Sequence, residues 1–492
     1  MTDSSNNQWK TLDKDLGRFS QMEYATQYVS RPMVGLSISL VFLIVAGLGA
    51  AIFFGQKPVS LVIIAAAIFG GYMALNIGAN DVANNMGPAV GSNALTMGGA
   101  ILIAAIAESA GALLAGGDVV STIAKGIIDP AGIADTNVFI WAMMAALISS
   151  ALWVNLATFV GAPVSTTHSV VGGVMGAGVA AAGFAAVNWP TMGKIAASWV
   201  ISPLLGGVVA ALFLAFIKAK IIYQEDKIAA ARRWVPVLIA IMAAAFSAYL
   251  ALKGLKRIIK IDLEMALLIG LGAGVASYFI TRPIIKRQSE GLENRNKSLK
   301  QLFMIPLVFS AALLSFAHGA NDVANAVGPL AAIVHAIENG DAATKVSIPV
   351  WVMVIGAFGI SFGLFLFGPK LIRMVGSQIT KLNPMRAYCV ALSAAITVIV
   401  ASWLGLPVSS THIAVGAVFG VGFFREFHME RRARLNRSTM KEGKFIAVEE
   451  RKRRKLVRRS HFMTIIAAWV ITVPAAAVLS GGIFLVLNAL FV

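Results

Sequence analysis

Charge is scarce in this chain. Only 13% of its 492 residues are Asp, Glu, Lys or Arg, against about 25% in a soluble domain. Combined with 58% hydrophobic residues and a mean hydropathy of +0.78, that scarcity excludes a soluble or disordered chain. Cysteine is nearly absent: Cys389 alone can form no internal disulfide and no cysteine-based metal site. Residues 1–33 lack the short apolar core and small-residue cleavage site of a secretory signal, so they read as a cytoplasmic tail. Cations are missing from the apolar part, where only Lys125 and Lys194 fall between residues 58 and 217. Fourteen of the 41 Lys and Arg fall instead between Arg425 and Arg459. A net charge of +18 placed in this way is the mark of membrane spans and their loops, not of a nucleic-acid surface.

A helix needs about 20 apolar residues to cross the hydrocarbon. Spans are expected at Val34–Phe54, Gly98–Ala115, Asn137–Phe159, Lys194–Ile217, Trp234–Leu252, Leu263–Thr281, Trp351–Phe367, Ala387–Leu404 and His461–Leu490. Two further stretches begin near Leu61 and Phe303 and run into a polar Gly-Ala-Asn-Asp sequence. Two more, Pro163–Ala182 and Pro407–Phe424, open with Pro-Val-Ser. The expected class is therefore an all-α polytopic membrane protein of about 12 segments. The positive-inside bias places the loops 218–233, 282–300 and 425–460 in the cytoplasm and leaves 253–262 outside, despite its four cations.

The chain repeats itself. Gly78-Ala79-Asn80-Asp81-Val82-Ala83-Asn84 recurs as Gly319-Ala320-Asn321-Asp322-Val323-Ala324-Asn325. Pro163-Val164-Ser165-Thr166-Thr167-His168 is matched by Pro407-Val408-Ser409-Ser410-Thr411-His412, and Ala197-Ser198-Trp199-Val200-Ile201 by Ala467-Ala468-Trp469-Val470-Ile471. The offsets are 241, 244 and 270 residues, the last enlarged by the basic loop, and three ordered matches mean a duplication. Equivalent loops differ in charge: 118–136 holds Lys125 against three acids, while 369–386 holds four cations and no acid. They therefore lie on opposite sides, and the halves are inverted, as in secondary transporters with a central substrate site. The expected organisation is a tail (1–33), an additional span (34–58), a first transport repeat (59–217), a central spacer with two spans (218–302) and a second, inverted repeat (303–492) that includes the 425–460 loop.

Asp81, Asp322 and Glu108 are acids within apolar segments, where a carboxylate needs a partner or a task. Asp81 and Asp322 are each preceded by an Asn, Asn80 or Asn321, and followed by Asn84 or Asn325. These hard oxygen ligands suit a hard cation, and the neighbouring Gly and Pro favour an interrupted helix that frees carbonyls. The pairs read as coupling-cation sites, sodium first, with a proton as the alternative. Glu108 reads equally as a structural acid or a protonation site. The Pro-Val-Ser segments read as helix N-termini in mid-membrane, where Ser165, Thr166, Thr167, Ser409, Ser410 and Thr411 make an anion site without Lys or Arg. The segments Asn137–Ala182 and Ala387–Phe424 fit either re-entrant hairpins or full spans. His168, His318 and His412 are candidates for proton movement. Ser, His and Asp also allow a membrane-embedded hydrolase on paper, but a catalytic triad has no use for an inverted copy. A transporter that alternates access has one.

These doubled motifs, in this order and in both halves, resemble the PiT family of inorganic phosphate transporters. The resemblance covers residues 59–492 apart from the spacer and the basic loop. It implies import of phosphate by symport with sodium, or with protons in some bacterial members, and no enzyme activity or cofactor. It also implies sodium at Asn80, Asp81, Asn321 and Asp322, with phosphate among the six hydroxyl residues. A sulfate permease of the same fold is the alternative. The expected setting is a plasma membrane, the inner membrane of a bacterium. There the 425–460 loop lies inside against anionic headgroups, the C-terminus lies outside, and the protein binds no nucleic acid. A homo-oligomer is compatible with this reading.

Overall fold

A computed structural model describes residues 33–53, 60–129, 132–133, 135–160, 164–254, 261–340, 348–378, 382–437 and 459–492. The 1–32 tail, Pro163, most of 253–262 and the centre of the basic loop lie outside the described residues. The helices are α1 (Met33–Phe53), α2 (Ser60–Asn80), α3 (Val82–Gly91), α4 (Met97–Ala115), α5 (Gly117–Lys125) and α6 (Thr136–Val160). Then follow α7 (Thr166–Ala182), α8 (Trp189–Ile217), α9 (Lys227–Lys253), α10 (Leu263–Gln288) and α11 (Asn296–Leu302). The last five are α12 (Met304–Asn339), α13 (Val350–Gln378), α14 (Pro384–Trp403), α15 (Ser410–Arg437) and α16 (Arg459–Phe491). Eleven helices among the described residues are long and apolar enough to cross a membrane, and the protein is a multi-pass membrane protein.

The halves are built together and not side by side. Gly70 of α2 lies against Leu330 of α12, while Asp81 meets Asp322, so the two motif helices run antiparallel. Each then packs on the helix that follows the other. A Cβ at Gly78 would overlap the Ile360 carbonyl of α13, and one at Gly319 would overlap the Glu108 carbonyl of α4. The hairpin helices exchange in the same way, Gly176 of α7 sitting on Ala477 of α16 and Gly420 of α15 on Gly207 of α8. Gly78 and Gly319, Gly176 and Gly420, and Gly207 and Ala477 correspond by the same offsets as the sequence repeat. Ser109 and its equivalent Ser361 share a 2.7 Å hydrogen bond where the halves cross.

Loop pairings agree with the charge pattern. Ile128 bridges Val187, and Lys253 forms an ion pair with Asp118, so the acidic connector, 183–188 and the end of α9 share one face. On the opposite face Asn294 holds Glu225 at 2.7 Å and Tyr223 holds His428 at 2.8 Å, which gathers the three basic loops. α1 is antiparallel to α2, with Gly47 on Ile68 and Leu43 on Gly71, and so begins on the basic face.

One expectation is corrected. The second Gly-Ala-Asn-Asp segment does not open its helix, and the first is interrupted at one residue only. α12 is continuous through Gly319–Asn325, and between α2 and α3 only Asp81 leaves the helix, with right-handed backbone (φ −88°, ψ −31°). Glycine there allows backbones to touch instead of breaking the helix, and neighbouring helices tolerate Pro88 and Pro329 inside a span. The real interruptions are the tips between α6 and α7 and between α14 and α15.

Candidate functional site

The two tips meet beside the middle of α12. Each opens a helix in the same way: Ser165 caps α7 by accepting from the His168 N–H at 3.1 Å, and Ser409 accepts from the His412 N–H at 3.3 Å. The first-turn N–H groups and the positive ends of both helix dipoles are thereby gathered at the centre. Asn residues tie the tips to the motif helices. Asn321 donates to Ser402 at 2.9 Å and accepts from the Val408 N–H at 3.2 Å, and Asn80 donates to Thr158 at 2.8 Å. The tips also hold each other, through Thr167 to the Val408 carbonyl at 3.0 Å.

Asp81 and Asp322 are each 1% exposed. Asp81 accepts from Thr166 at 2.6 Å and from Thr411 at 3.2 Å, one hydroxyl from each tip. Behind those hydroxyls stand the two amides of the motif: Asn84 donates to Thr411 at 2.9 Å, and Asn325 to Thr166 at 3.2 Å and Thr167 at 3.1 Å. Asp322 accepts from Ser410 at 3.1 Å. Its other neighbour is His318 Nε2 at 3.0 Å, whose Nδ1 lies 3.1 Å from Glu108. Asn85 donates to the same Glu108 oxygen at 3.1 Å.

Oxygen and nitrogen atoms of Asp81, His318 and Asp322 lie within 4.8 Å of one another. Two carboxylates at that separation repel by roughly 3 kcal/mol at an effective dielectric of about 20. A bound cation or a shared proton removes that repulsion. Among the described residues, Asp322 Oδ1 and Asn325 Oδ1 are buried acceptors without a hydrogen bond, a donor set suited to a hard cation. No Lys or Arg takes part in these contacts.

Of the residues singled out in the sequence, the structure brings Asn84, Asn325, Asp81, Asp322, Thr166, Thr167, Ser410 and Thr411 into one network. Asn80 and Asn321 position the tips, and Ser165 and Ser409 cap helices. Glu108 and His318 join Asp322. His168 and His412 stack on each other edge to face with centroids 4.4 Å apart, and Trp199 lies 3.9 Å from His168. Sequence reasoning missed Asn85, Thr158 and Ser402, whose signal is a polar side chain in an apolar helix. It also missed α5, whose Thr122 donates to the Gly405 carbonyl at the second tip at 2.7 Å.

A sequence profile described as the phosphate transporter family matches residues 77–480. The chain belongs to that family. Candidate phosphate permeases are its relatives: one from Helicobacter pylori strain J99 is 46% identical over 96% of this chain and 99% of its own length. Another, from Pyrococcus furiosus, is 36% identical over 87% of this chain and 96% of its own. A solved structure described as the sodium-dependent phosphate transporter superposes with a TM-score of 0.78 at 34% identity, covering 88% of this chain and all of that one. As a member of the PiT phosphate transporters, the protein is a membrane transporter and not an enzyme. The doubled motifs fall within the matched span.

Proposed function

We propose that the protein imports inorganic phosphate by alternating access, with sodium as the coupling ion at Asp81 and Asp322. The observation that carries this reading is the convergence of two buried carboxylates, within 4.8 Å of each other and of His318, with hydroxyls from both helix tips and no fixed cation. An oxyanion bound among Thr166, Thr167, Ser410 and Thr411 would sit on two helix N-termini, but beside two negative charges. Sodium on the carboxylates supplies the missing positive charge. It turns the hydroxyl protons from Asp toward the anion and leaves when the anion leaves. Each ion's binding then depends on the other, a coupling free energy that is reciprocal. The relatives' names, which concern phosphate, and the sodium dependence ascribed to the structurally similar transporter support this choice.

The Glu108–His318–Asp322 contacts favour a second reading of the coupling ion, in which a proton on this relay neutralises the Asp322 side. The basic face is the cytoplasmic one in this proposal, with the C-terminus outside. The test is radiolabelled phosphate uptake into proteoliposomes under an imposed inward sodium gradient, with a proton-gradient arm and a competing sulfate arm. Concentrative, sodium-dependent uptake that resists sulfate is expected. Uptake driven by protons alone transfers coupling to the relay. Transport of sulfate in place of phosphate overturns the substrate.

A further inference from the structure

An apolar groove of about 970 Å³ opens on the far side of His168 and His412, away from the carboxylates, between α8 and α15 with Val470 and Val473 of α16 on its flank. Two helix stripes line it. On α8 the stripe runs Trp199, Pro203, Gly207, Ala211 and, about two turns beyond the last, reaches Lys218. On α15 it runs His412, Gly416, Gly420, Phe427 and continues at the same spacing to Arg431, which is exposed. The stripes lie side by side because Gly207 and Gly420 let the two backbones touch. Both therefore end in a cation, on the face that gathers the basic loops.

That level is a water–lipid boundary by its own chemistry. Lys218 Nζ lies 5.1 Å from the Phe424 ring, and Lys220 and Arg233 flank Trp234 at 5.8 and 5.4 Å. From His412 to Phe427 the groove is about 22 Å deep at the helical rise. One leaflet offers about 15 Å of hydrocarbon and its headgroup layer. The side of the groove is lined by exposed Val208, Leu204 and Phe423, so it faces the bilayer laterally.

We propose that this groove binds one anionic phospholipid, an acyl chain lying between α8 and α15 and the headgroup resting on Lys218 and Arg431. A second copy of the chain fits the groove less well, because a two-fold contact would bring the same two cations against themselves. The inner end of the chain abuts the rings that directly follow Thr167 and Thr411, so the lipid braces the back of both tips. This site does not depend on which ion or oxyanion is carried.

The test is native mass spectrometry of the purified full-length protein with equal phosphatidylglycerol and phosphatidylcholine. Retention of one phosphatidylglycerol per chain, preferred at least tenfold, is expected. Ala211→Trp, which fills the groove, and the double variant Lys218→Glu/Arg431→Glu, which inverts the rim, each lower that retention at least tenfold. The double variant changes only membrane-boundary side chains and decides the matter by itself where Ala211→Trp fails to fold. Equal retention of the two lipids overturns the proposal, as does phosphatidylglycerol retention that the double variant leaves unchanged. So does a wild-type dimer that Ala211→Trp converts to a monomer.

Discussion

The two halves carry the same seven-residue motif and the same capped hairpin, yet they hold their carboxylates differently. Asp81 is wrapped by two hydroxyls, Thr166 and Thr411, that come from opposite tips. Asp322 has one hydroxyl, Ser410, and then an imidazole backed by a second acid. By the repeat offset the position equivalent to His318 is Ile77, and by the paired contacts of Gly319 and Gly78 the one equivalent to Glu108 is Ile360. The relay therefore exists in one half only. In the proposed function, the symmetric parts of the site would meet the substrate from either side of the membrane, and the asymmetric part would control charge at one place.

The comparison can be broken or sharpened experimentally. Neutralising Asp81→Asn or Asp322→Asn has the largest expected effect: uptake falls at least a hundredfold in both, with thermal unfolding little changed. Full sodium-driven uptake by both single variants removes the proposed cation sites. Next comes the crossing of the halves. Gly78→Leu and Gly319→Leu each force a helix off its exchanged partner and cost about 1–3 kcal/mol by overpacking, read as a lower Tm of the detergent-solubilised protein. Unequal losses would show that one crossing yields more readily.

Smaller effects probe the site itself. Thr166→Ala and Ser410→Ala each remove one hydroxyl donor to a carboxylate, a hydrogen bond to a charged group worth about 1.5–3 kcal/mol. Each raises the apparent KM for phosphate or sodium about tenfold or more, and the two agree within a factor of about three if the halves are equivalent toward substrate. His318→Gln and Glu108→Gln separate the halves instead. They abolish any proton-driven uptake and change sodium-driven uptake less than tenfold, as measured in the two gradient arms. Equal loss in both arms would make the relay a structural part of the Asp322 site.

Much of the fold was legible in the residues because hydrophobicity over about 20 residues and charge in loops are local quantities that the bilayer reads directly. The duplication was legible because an identical heptad at an offset of 241 residues and a six-residue match with one difference at 244 need no structure to be seen. The meeting of Glu108 with His318 was not, since 210 residues separate them and nothing in either segment names the other. The role of Gly78 and Gly319 was misread for a related reason. A glycine in a span looks the same in sequence whether it loosens a helix or lets another backbone approach, and only the neighbour at Ile360 or Glu108 decides.

By itself, then, the sequence determined the class, the doubling, the opposed orientation of the halves and the residue types of the site. Each follows from composition, identity or the energy of placing charge in hydrocarbon. Only the tertiary structure decided that each motif helix pairs with the other half and that both tips serve Asp81. It alone brought Glu108 to the His318 imidazole and opened an apolar groove behind the tips. Those are contacts between distant segments, and their geometry comes from packing many helices at once.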